Sequence, residues 1–250
     1  MRPFETWKPE HPELQRSLMA WLDVDLLRAV EDGGQEALSE QLECVHTDVY
    51  TMALMRPEAL EMLLEDLDRL EDWATHNGVA LRRPNSMNMY GVILDDLGYG
   101  QALSELVERV FSPLSSALYS LLDVHALDHH HGFVVDYSDE TDIDLGFHVD
   151  DAEVTVNLCL SEGFSGGDLF MRGRRCFGHM HTPPEPEEAF VYAHTPGRAL
   201  IHAGMHRHGA YAIEGGRRRN LILWCRSSVY RERAPHSGPC PAWCGAHRSG

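Results

Sequence analysis

Three residues of this chain could bind a single metal ion. His148 and Asp150 form an H-x-D pair, and His208 follows about sixty residues later. Residues two apart on an extended strand project from the same face, so the pair can turn toward one ion. Two imidazole nitrogens and one carboxylate on one side of iron(II) leave the opposite positions open, which is the facial arrangement of non-haem iron oxygenases. The same ligands could also hold zinc.

The distal histidine and its surroundings support this interpretation. His208 is favoured over His202 and His206 because it directly precedes a glycine and a new apolar strand. The chain has sixteen histidines, so an H-x-D pair by itself would more often form a turn or an ion pair. Its combination with a distal histidine and with Arg218, ten residues further on, favours a metal site.

Arg218 indicates what the metal site would bind. On a strand its side chain alternates with those of Arg217 and Arg219, so Arg218 is expected to face inward while its two neighbours remain solvated. A guanidinium pairs bidentately with a carboxylate, which suits the distal carboxylate of 2-oxoglutarate while the oxo-acid end chelates iron. Tyr137, at the end of the run GFVVDY, could donate its hydroxyl to the same carboxylate.

The elements that must position these residues change type along the chain. Up to about residue 122, apolar residues recur at three- and four-residue spacing, which predicts helices. These segments are LQRSLMAWLDVDLLRAV, PEALEMLLEDLDRLEDWATHN and GQALSELVERVFSPLSSALYSLL. From Gly132 onward, short runs of aliphatic and aromatic residues between turn signals predict an antiparallel sandwich or barrel. These runs are GFVVDY, AEVTVNLCL, GDLFM, RALIHA and RRRNLILWC.

Composition restricts the class of protein and its partners. The 250 residues, 43% of them hydrophobic, are enough to bury a large core. The formal net charge of −18 repels phosphate backbones and anionic membranes, so neither a nucleic acid nor a membrane is an expected partner. From Met171 onward the chain is rich in arginine, which would suit a dianionic small molecule. No secretory or membrane-spanning apolar segment is present, so the cytoplasm is the expected location.

Two further motifs contain residue types that bind metals. Adjacent side chains in the run His129–His131 point to opposite faces of a strand, so the packed start of a strand is favoured over a joint site. The motif CPAWC spaces Cys240 and Cys244 four residues apart and could contribute to a zinc site that Cys225 and nearby histidines would have to complete. Periodicity disappears after Arg226, so a surface or disordered tail is favoured there.

Two long runs resemble a known family: LDHHHGFVVDYSDETDIDLGFHVDDAEVTVNLCLSEGFSGGDLFM and GRALIHAGMHRHGAYAIEGGRRRNLILWCRSS. They resemble the prolyl/lysyl-hydroxylase type of iron(II)- and 2-oxoglutarate-dependent oxygenase. The resemblance is strongest to intracellular oxygenase-domain proteins that also carry RPNSMNMYGV before the core and WCRSS at its end. These motifs span about residues 83 to 228, more than half of the chain. The first eighty or so residues carry no motif that identifies a substrate.

The resemblance implies an α+β protein with a double-stranded β-helix (jelly-roll) core and N-terminal flanking helices. It implies a helical region over 1–82 packed on the core, an oxygenase domain over 83–230 and a tail over 231–250. Gly166 and Gly167 resemble the GG turn of the family, where glycine permits a positive φ. The implied site residues are iron ligands His148, Asp150 and His208; cosubstrate-binding Arg218, Tyr137 and Asn157; and substrate-mouth candidates Asn85, Asn88 and Tyr90.

The implied reaction is hydroxylation of a peptidyl (prolyl or lysyl) or small-molecule C–H bond by dioxygen, with release of succinate and carbon dioxide. Iron(II) and 2-oxoglutarate supply the chemistry, so no side chain is predicted as a catalytic acid, base or nucleophile. Ascorbate is a candidate reductant, and the pattern does not indicate an oligomeric state. The alternatives are a non-catalytic sensor that binds metal and 2-oxoglutarate, which retention of every ligand disfavours, and a zinc hydrolase, which has no need of Arg218.

Overall fold

The computed structural model describes residues 4, 6–32, 34–119, 126–233 and 240–247. Its helices are α1 (Pro12–Arg16), α2 (Val24–Asp32), α3 (Gln35–Glu40), α4 (Pro57–Asn77), α5 (Gly100–Leu106), α6 (Ser112–Leu118) and α7 (Ser228–Arg233). Its strands are β1 (Glu43–His46), β2 (Val49–Ala53), β3 (Gly91–Ile93), β4 (His129–Tyr137), β5 (Leu145–His148), β6 (Val154–Cys159), β7 (Ser165–Gly166), β8 (Leu169–Arg174), β9 (Ala189–Tyr192), β10 (Arg198–Ala203), β11 (His206–Ala210), β12 (Ile213–Gly215) and β13 (Arg218–Arg226).

The strands form a jelly roll of two antiparallel sheets. The major sheet has the order β1-β2-β10-β6-β13-β4-β3, and the minor sheet has the order β5-β11-β8-β9. A short pair, β12-β7, lies beside them. All five predicted strand runs are strands in this arrangement, and the predicted α+β class with a double-stranded β-helix core is confirmed.

Strands β6 and β13 are buried along almost their whole length, and each has two different faces. On one face, Leu221 and Leu223 of β13 join the main hydrophobic core with the helices. On the other face, Arg218, Asn220 and Ile222 line a cavity between the two sheets. The two-residue period of a strand therefore separates the packing residues from the residues that could do chemistry.

Helix α4 follows the predicted segment from end to end. Pro57 occupies its first turn, and Gly78 ends it in the left-handed conformation at φ 62°, as the Asn-Gly stop predicts. Its buried stripe includes Leu60, Leu63, Leu67 and Leu70, at the spacing of one helix face. The first predicted helix is broken into α1, a 3-10 turn and α2, and the end of the third, residues 120–122, lies outside the described residues.

The N-terminal region is not entirely helical, which corrects the prediction for residues 1–82. Strands β1 and β2 form a hairpin, and β2 pairs with β10 to extend the major sheet. The hairpin turn places Asp48 at φ 60°, a left-handed conformation that aspartate tolerates better than most residues. Because the strands are short and the turn lacks glycine, the sequence carries no strong hairpin signal.

The predicted tail is also partly incorporated into the fold. The first residues of the predicted tail, up to Arg233, form the end of α7, and Cys244 is buried with 1% of its surface exposed. The surface or disordered structure favoured for the CPAWC motif is therefore wrong for this cysteine, because residues distant in sequence cover it. The segments 234–239 and 248–250 of the tail lie outside the described residues. Within the described part of the chain, no helix is long and apolar enough to span a bilayer.

Candidate metal centre and ligand pocket

The three predicted metal ligands come together between strands β5 and β11. His148 and His208 are direct partners in the antiparallel register of these strands, and Asp150 follows two residues after the first. The Asp150 oxygens lie 3.4 Å from His148 Nε2 and 3.6 Å from His208 Nε2. The candidate ligand atoms of all three residues lie within 4.8 Å of one another, close enough to share one ion.

Backbone carbonyls fix the orientation of both imidazoles. His148 Nδ1 lies 2.7 Å from the carbonyl oxygen of Gly146, and His208 Nδ1 lies 2.8 Å from that of His206. Since a carbonyl only accepts, each Nδ1 carries a proton, and Nε2 is the ring atom that faces Asp150 and would bind a metal. Burial and the neighbouring His148 lower the pKa of His208 to about 3, so this imidazole is neutral near pH 7.

Asp150 is held as a buried carboxylate. Thr155 Oγ1 donates a hydrogen bond of 2.6 Å to its Oδ2, and the Asp150 amide donates to the carbonyl of Gly204. Burial alone would raise the pKa of Asp150, but the His208 and His148 side chains hold it below its ordinary value. Two imidazole nitrogens and one carboxylate fit a divalent iron site.

Arg218 and Tyr137 are cross-strand partners in the wall of the same cavity. The guanidinium carbon of Arg218 lies 4.5 Å from the centre of the Tyr137 ring, and within the described residues its Nε has no hydrogen-bond partner. Gly167, at φ 72°, makes room for it, because a Cβ there would lie 3.3 Å from the guanidinium. A buried cation without a full set of partners indicates an anionic ligand.

The Tyr137 hydroxyl is prepared to donate a hydrogen bond. Burial raises the pKa of Tyr137 to about 12, so the phenol keeps its proton at neutral pH. Asn88 Nδ2 donates to its oxygen at 3.1 Å, which leaves the phenolic proton for another acceptor. Asn85 in turn holds Asn88 through a hydrogen bond from its Nδ2 to Asn88 Oδ1.

One cavity contains most of the predicted site residues. Asn157 lines it and accepts a 2.6 Å hydrogen bond from Asn220. Tyr90 does not line this cavity, and 47% of its surface is exposed. The cavity brings together the predicted residues Asn85, Asn88, Tyr137, His148, Asp150, Asn157, His208 and Arg218.

Three residues of this site are absent from the sequence-based prediction. Thr155 binds Asp150, and Asn220 donates to Asn157 while it lies 3.2 Å from His194 Nδ1. The two-residue period could have indicated Thr155 and Asn220, which share strand faces with predicted residues. His194 comes from the loop before β10 and gives no such signal.

The predicted solvation is wrong for Arg219, which is buried, whereas the Arg217 side chain keeps 37% of its surface exposed. Both arginines face the N-terminal helices, where Arg219 pairs with Asp68 at 2.8 Å. Arg217 binds the buried Asp136 and also Glu71. The acidic side of α4 thus neutralises the arginines that flank Arg218, which only the tertiary fold could reveal.

A jelly roll that holds two histidines and a carboxylate beside a buried arginine defines a 2-oxoglutarate- and iron-dependent oxygenase domain. The solved structure of a Trichoplax adhaerens prolyl hydroxylase, in complex with a hypoxia inducible factor oxygen degradation domain peptide fragment, has the same fold. It superposes with a TM-score of 0.53 at 13% identity, covering 93% of this chain and 99% of that one.

Sequence relatives define the family of this chain more narrowly than the fold does. It is 41% identical over 240 residues to the 2-oxoglutarate and iron-dependent oxygenase domain-containing protein CP2 of Arabidopsis thaliana, covering 96% of this chain and 61% of the relative. It is 34% identical over 246 residues to the 2-oxoglutarate and iron-dependent oxygenase domain-containing protein 2 of Danio rerio, covering 95% of this chain and 68% of the relative. Residues 4–123 match the OGFOD2-like domain.

The chain therefore belongs to the family of 2-oxoglutarate and iron-dependent oxygenase domain-containing proteins. It spans about half to two thirds of the length of the curated relatives that it matches. The match over residues 4–123 covers the N-terminal helices and the β1-β2 hairpin, which carry no motif that identifies a substrate.

Proposed function

We propose that this chain is an iron(II)- and 2-oxoglutarate-dependent dioxygenase that hydroxylates a C–H bond. In the balanced reaction, substrate, 2-oxoglutarate and dioxygen give hydroxylated substrate, succinate and carbon dioxide. The observation that carries the proposal is the buried guanidinium of Arg218, which shares one cavity with a complete set of His148, Asp150 and His208.

Each residue would have a separate task. His148, Asp150 and His208 would hold the iron, and Arg218 with Tyr137 would bind the distal carboxylate of 2-oxoglutarate. Dioxygen would be the oxidant, activated at the iron with two electrons from the decarboxylation of 2-oxoglutarate, while the protein positions the C–H bond and limits access of water.

The surface outside the cavity favours a peptidyl substrate. A second, more open groove shares Asn85, Met87 and Trp224 with the cavity and continues past Asp151 and Arg226. An extended peptide could lie there with one side chain inserted toward the metal. The Trichoplax protein, which shares the fold, was solved with a peptide bound. A prolyl or lysyl side chain of a peptide is the proposed target, and a small-molecule substrate is the alternative. The use of ascorbate as reductant and a cytoplasmic location both remain predictions.

The test is aerobic turnover of a peptide library by the iron-loaded protein with 2-oxoglutarate. Succinate formation together with a mass gain of one oxygen atom on proline- or lysine-containing peptides would support the proposal. The Asp150→Ala variant is the matched control, because it removes the ionised ligand without altering the groove. Peptide binding without any oxygen gain or succinate, from protein shown to contain iron, would contradict it.

A further inference from the structure

A second group of metal-binding side chains lies outside the cavity. It consists of Cys176, His179, Cys240 and Cys244, whose candidate ligand atoms all lie within 4.8 Å of one another. None of the four lines the oxygenase cavity. The family resemblance assigned no role to them. The sequence pattern named Cys240 and Cys244 as possible zinc ligands but would have completed the site with Cys225, which is buried in β13.

Two tight turns present these four side chains. The first is a 3-10 turn, Phe177–His179, in which the His179 amide donates to the Cys176 carbonyl at 2.9 Å. The second places the Cys244 amide 3.0 Å from the carbonyl of Pro241. Each turn directs two side chains, three or four residues apart, toward the same point. Pairs of ligands at this spacing from two distant turns are typical of structural zinc sites.

The distances within the group match one tetrahedral ion. Zinc bonds of about 2.3 Å to sulfur and about 2.0 Å to nitrogen place tetrahedral ligands about 3.8 Å apart for two sulfurs and about 3.5 Å apart for sulfur and nitrogen. Here the Cys176 and Cys240 sulfurs are 3.7 Å apart. His179 Nδ1 lies 3.3 Å from each of them and 3.6 Å from Cys244 Sγ. A disulfide would need sulfurs about 2.0 Å apart.

We propose that Cys176, His179, Cys240 and Cys244 bind one zinc ion in a closed structural site. Three soft thiolates and one imidazole select zinc over the harder iron(II) of the oxygenase cavity. Four protein ligands leave no open position, so this site would hold the fold together and would not catalyse.

The residues around the second turn hold Cys244 close to Cys176. The Cys176 amide donates to Cys244 Sγ at 3.4 Å, which stabilises negative charge on that sulfur. Gly245 is buried, and a Cβ there would lie 2.3 Å from Arg175 Nη1. Arg175 is itself fixed by a two-pronged ion pair with Glu188, at 2.5 and 2.6 Å. The C-terminal turn therefore fits against a rigid surface.

The proposed zinc site would also support the iron site. Arg207 directly precedes the iron ligand His208, and its guanidinium donates to the carbonyls of Met180 and Thr182, just after His179. Zinc would hold this loop against the C-terminal turn and so limit movement of the strand that carries His208. Loss of zinc should lower stability without removing any iron ligand.

The test uses the full chain, with zinc and cobalt(II) as the probes. Protein purified without chelator should contain about one zinc per chain, and cobalt(II) added to zinc-free protein should give intense tetrahedral thiolate-to-cobalt bands. In Cys240→Ser and Cys244→Ser, the zinc content should fall at least tenfold and the thiolate bands should weaken. Cys44→Ser, at an exposed cysteine outside the group, is the matched control and should retain both.

A second variant separates this proposal from the proposed oxygenase function. Asp150→Ala should lose iron but keep the zinc and the cobalt–thiolate bands, whether or not the protein is an active oxygenase. Folding of the cysteine variants is checked by circular dichroism, and the wild-type cobalt spectrum gives a result even if they fail to fold. Wild-type protein without thiolate-bound metal, or a disulfide linking two of the three cysteines, would overturn the proposal.

Discussion

Arg218 is a cation buried in the cavity wall, and its position needs an anionic partner. It stacks on Tyr137, and burial lowers its pKa, so the folded protein without a ligand bears the cost of a desolvated charge. A dianionic ligand that reaches from the metal to this guanidinium would offset that cost. The presence of Arg218 in the same cavity as the metal ligands supports the proposal that the site selects 2-oxoglutarate over monocarboxylates.

Replacing Arg218 with methionine tests this at the level of one residue. Loss of a buried charge pair typically weakens binding by about 3 kcal/mol, so we expect 2-oxoglutarate affinity to fall roughly a hundredfold. Iron binding should be preserved, and calorimetry on the anaerobic iron form measures both. Arg198→Met, at the partly exposed ion pair with Glu43, should leave both affinities unchanged. Equal affinities in wild type and R218M would place the carboxylate site elsewhere.

Thr155 is expected to tune the metal through Asp150. The Thr155→Val variant keeps the shape of the side chain but leaves Asp150 Oδ2 without its hydrogen-bond donor. Outer hydrogen-bond partners of metal ligands are commonly worth tenfold to a hundredfold in affinity, and we expect a loss of about that size for iron(II). Competition with a chromogenic chelator measures it. Thr155→Ser keeps the hydroxyl and should restore the affinity; a T155V affinity equal to wild type would show that this contact is neutral.

At the scale of elements, the two-faced strands explain how much the sequence could predict. The alternation in RRRNLILWC placed Arg218 on one face of β13, and the H-x-D spacing placed His148 and Asp150 together, so the main site residues were predictable. The same rule could not show what covers the opposite face, where α4 supplies Asp68 and Glu71. Pairing across distant segments depends on the folded topology and leaves no local periodic signal.

The β1-β2 hairpin and the CPAWC motif were mispredicted for the same reason, since both depend on contacts between distant segments. The β1-β2 hairpin is stabilised by β10, about 150 residues away, and its turn residue Asp48 is not a strong hairpin signal. The cysteines of CPAWC could be recognised as metal-binding types, but the partners Cys176 and His179 lie in a loop more than sixty residues earlier. Local propensity predicts elements well, whereas the edges of sheets and clusters from separate loops require the tertiary structure.

Strand β13 and helix α4 are joined by Arg217, which provides a test at this scale. Arg217 neutralises Asp136, which is only 3% exposed, and also binds the half-exposed Glu71. Arg217→Met leaves Asp136 buried without a cation, and we expect the free energy of unfolding to fall by about 3 kcal/mol. Glu71→Gln removes the exposed partner and should cost less than about 1 kcal/mol. Urea unfolding measures the free energy of unfolding of both variants. Similarly small losses in R217M and E71Q would contradict the assignment of Arg217 as the partner that neutralises buried Asp136.

At the scale of the whole molecule, buried neutral histidines make stability depend on pH. Burial lowers the pKa values of His194, His202, His206 and His208 in the folded protein. Below about pH 6.5 the unfolded chain binds protons that the folded chain does not, so stability falls as the pH decreases. For His208, the loss of stability continues as the pH falls, down to its pKa of about 3 in the folded protein.

We therefore expect metal-free protein to lose at least about 2 kcal/mol of unfolding free energy between pH 7 and pH 5, since each such histidine contributes up to about 1.4 kcal/mol per pH unit. Urea unfolding at several pH values measures the loss. A stability that is constant from pH 7 to pH 5 would mean that these histidines are hydrated in solution.

The most direct test of the central claim is an anaerobic titration of metal-free protein with iron(II) and then 2-oxoglutarate. We predict a visible metal-to-ligand charge-transfer band that saturates with 2-oxoglutarate, requires Asp150, and bleaches with formation of succinate when oxygen is admitted. If iron binds to His148, Asp150 and His208 but saturating 2-oxoglutarate produces no band, the cosubstrate assignment is contradicted and the chain is not an oxygenase of this kind.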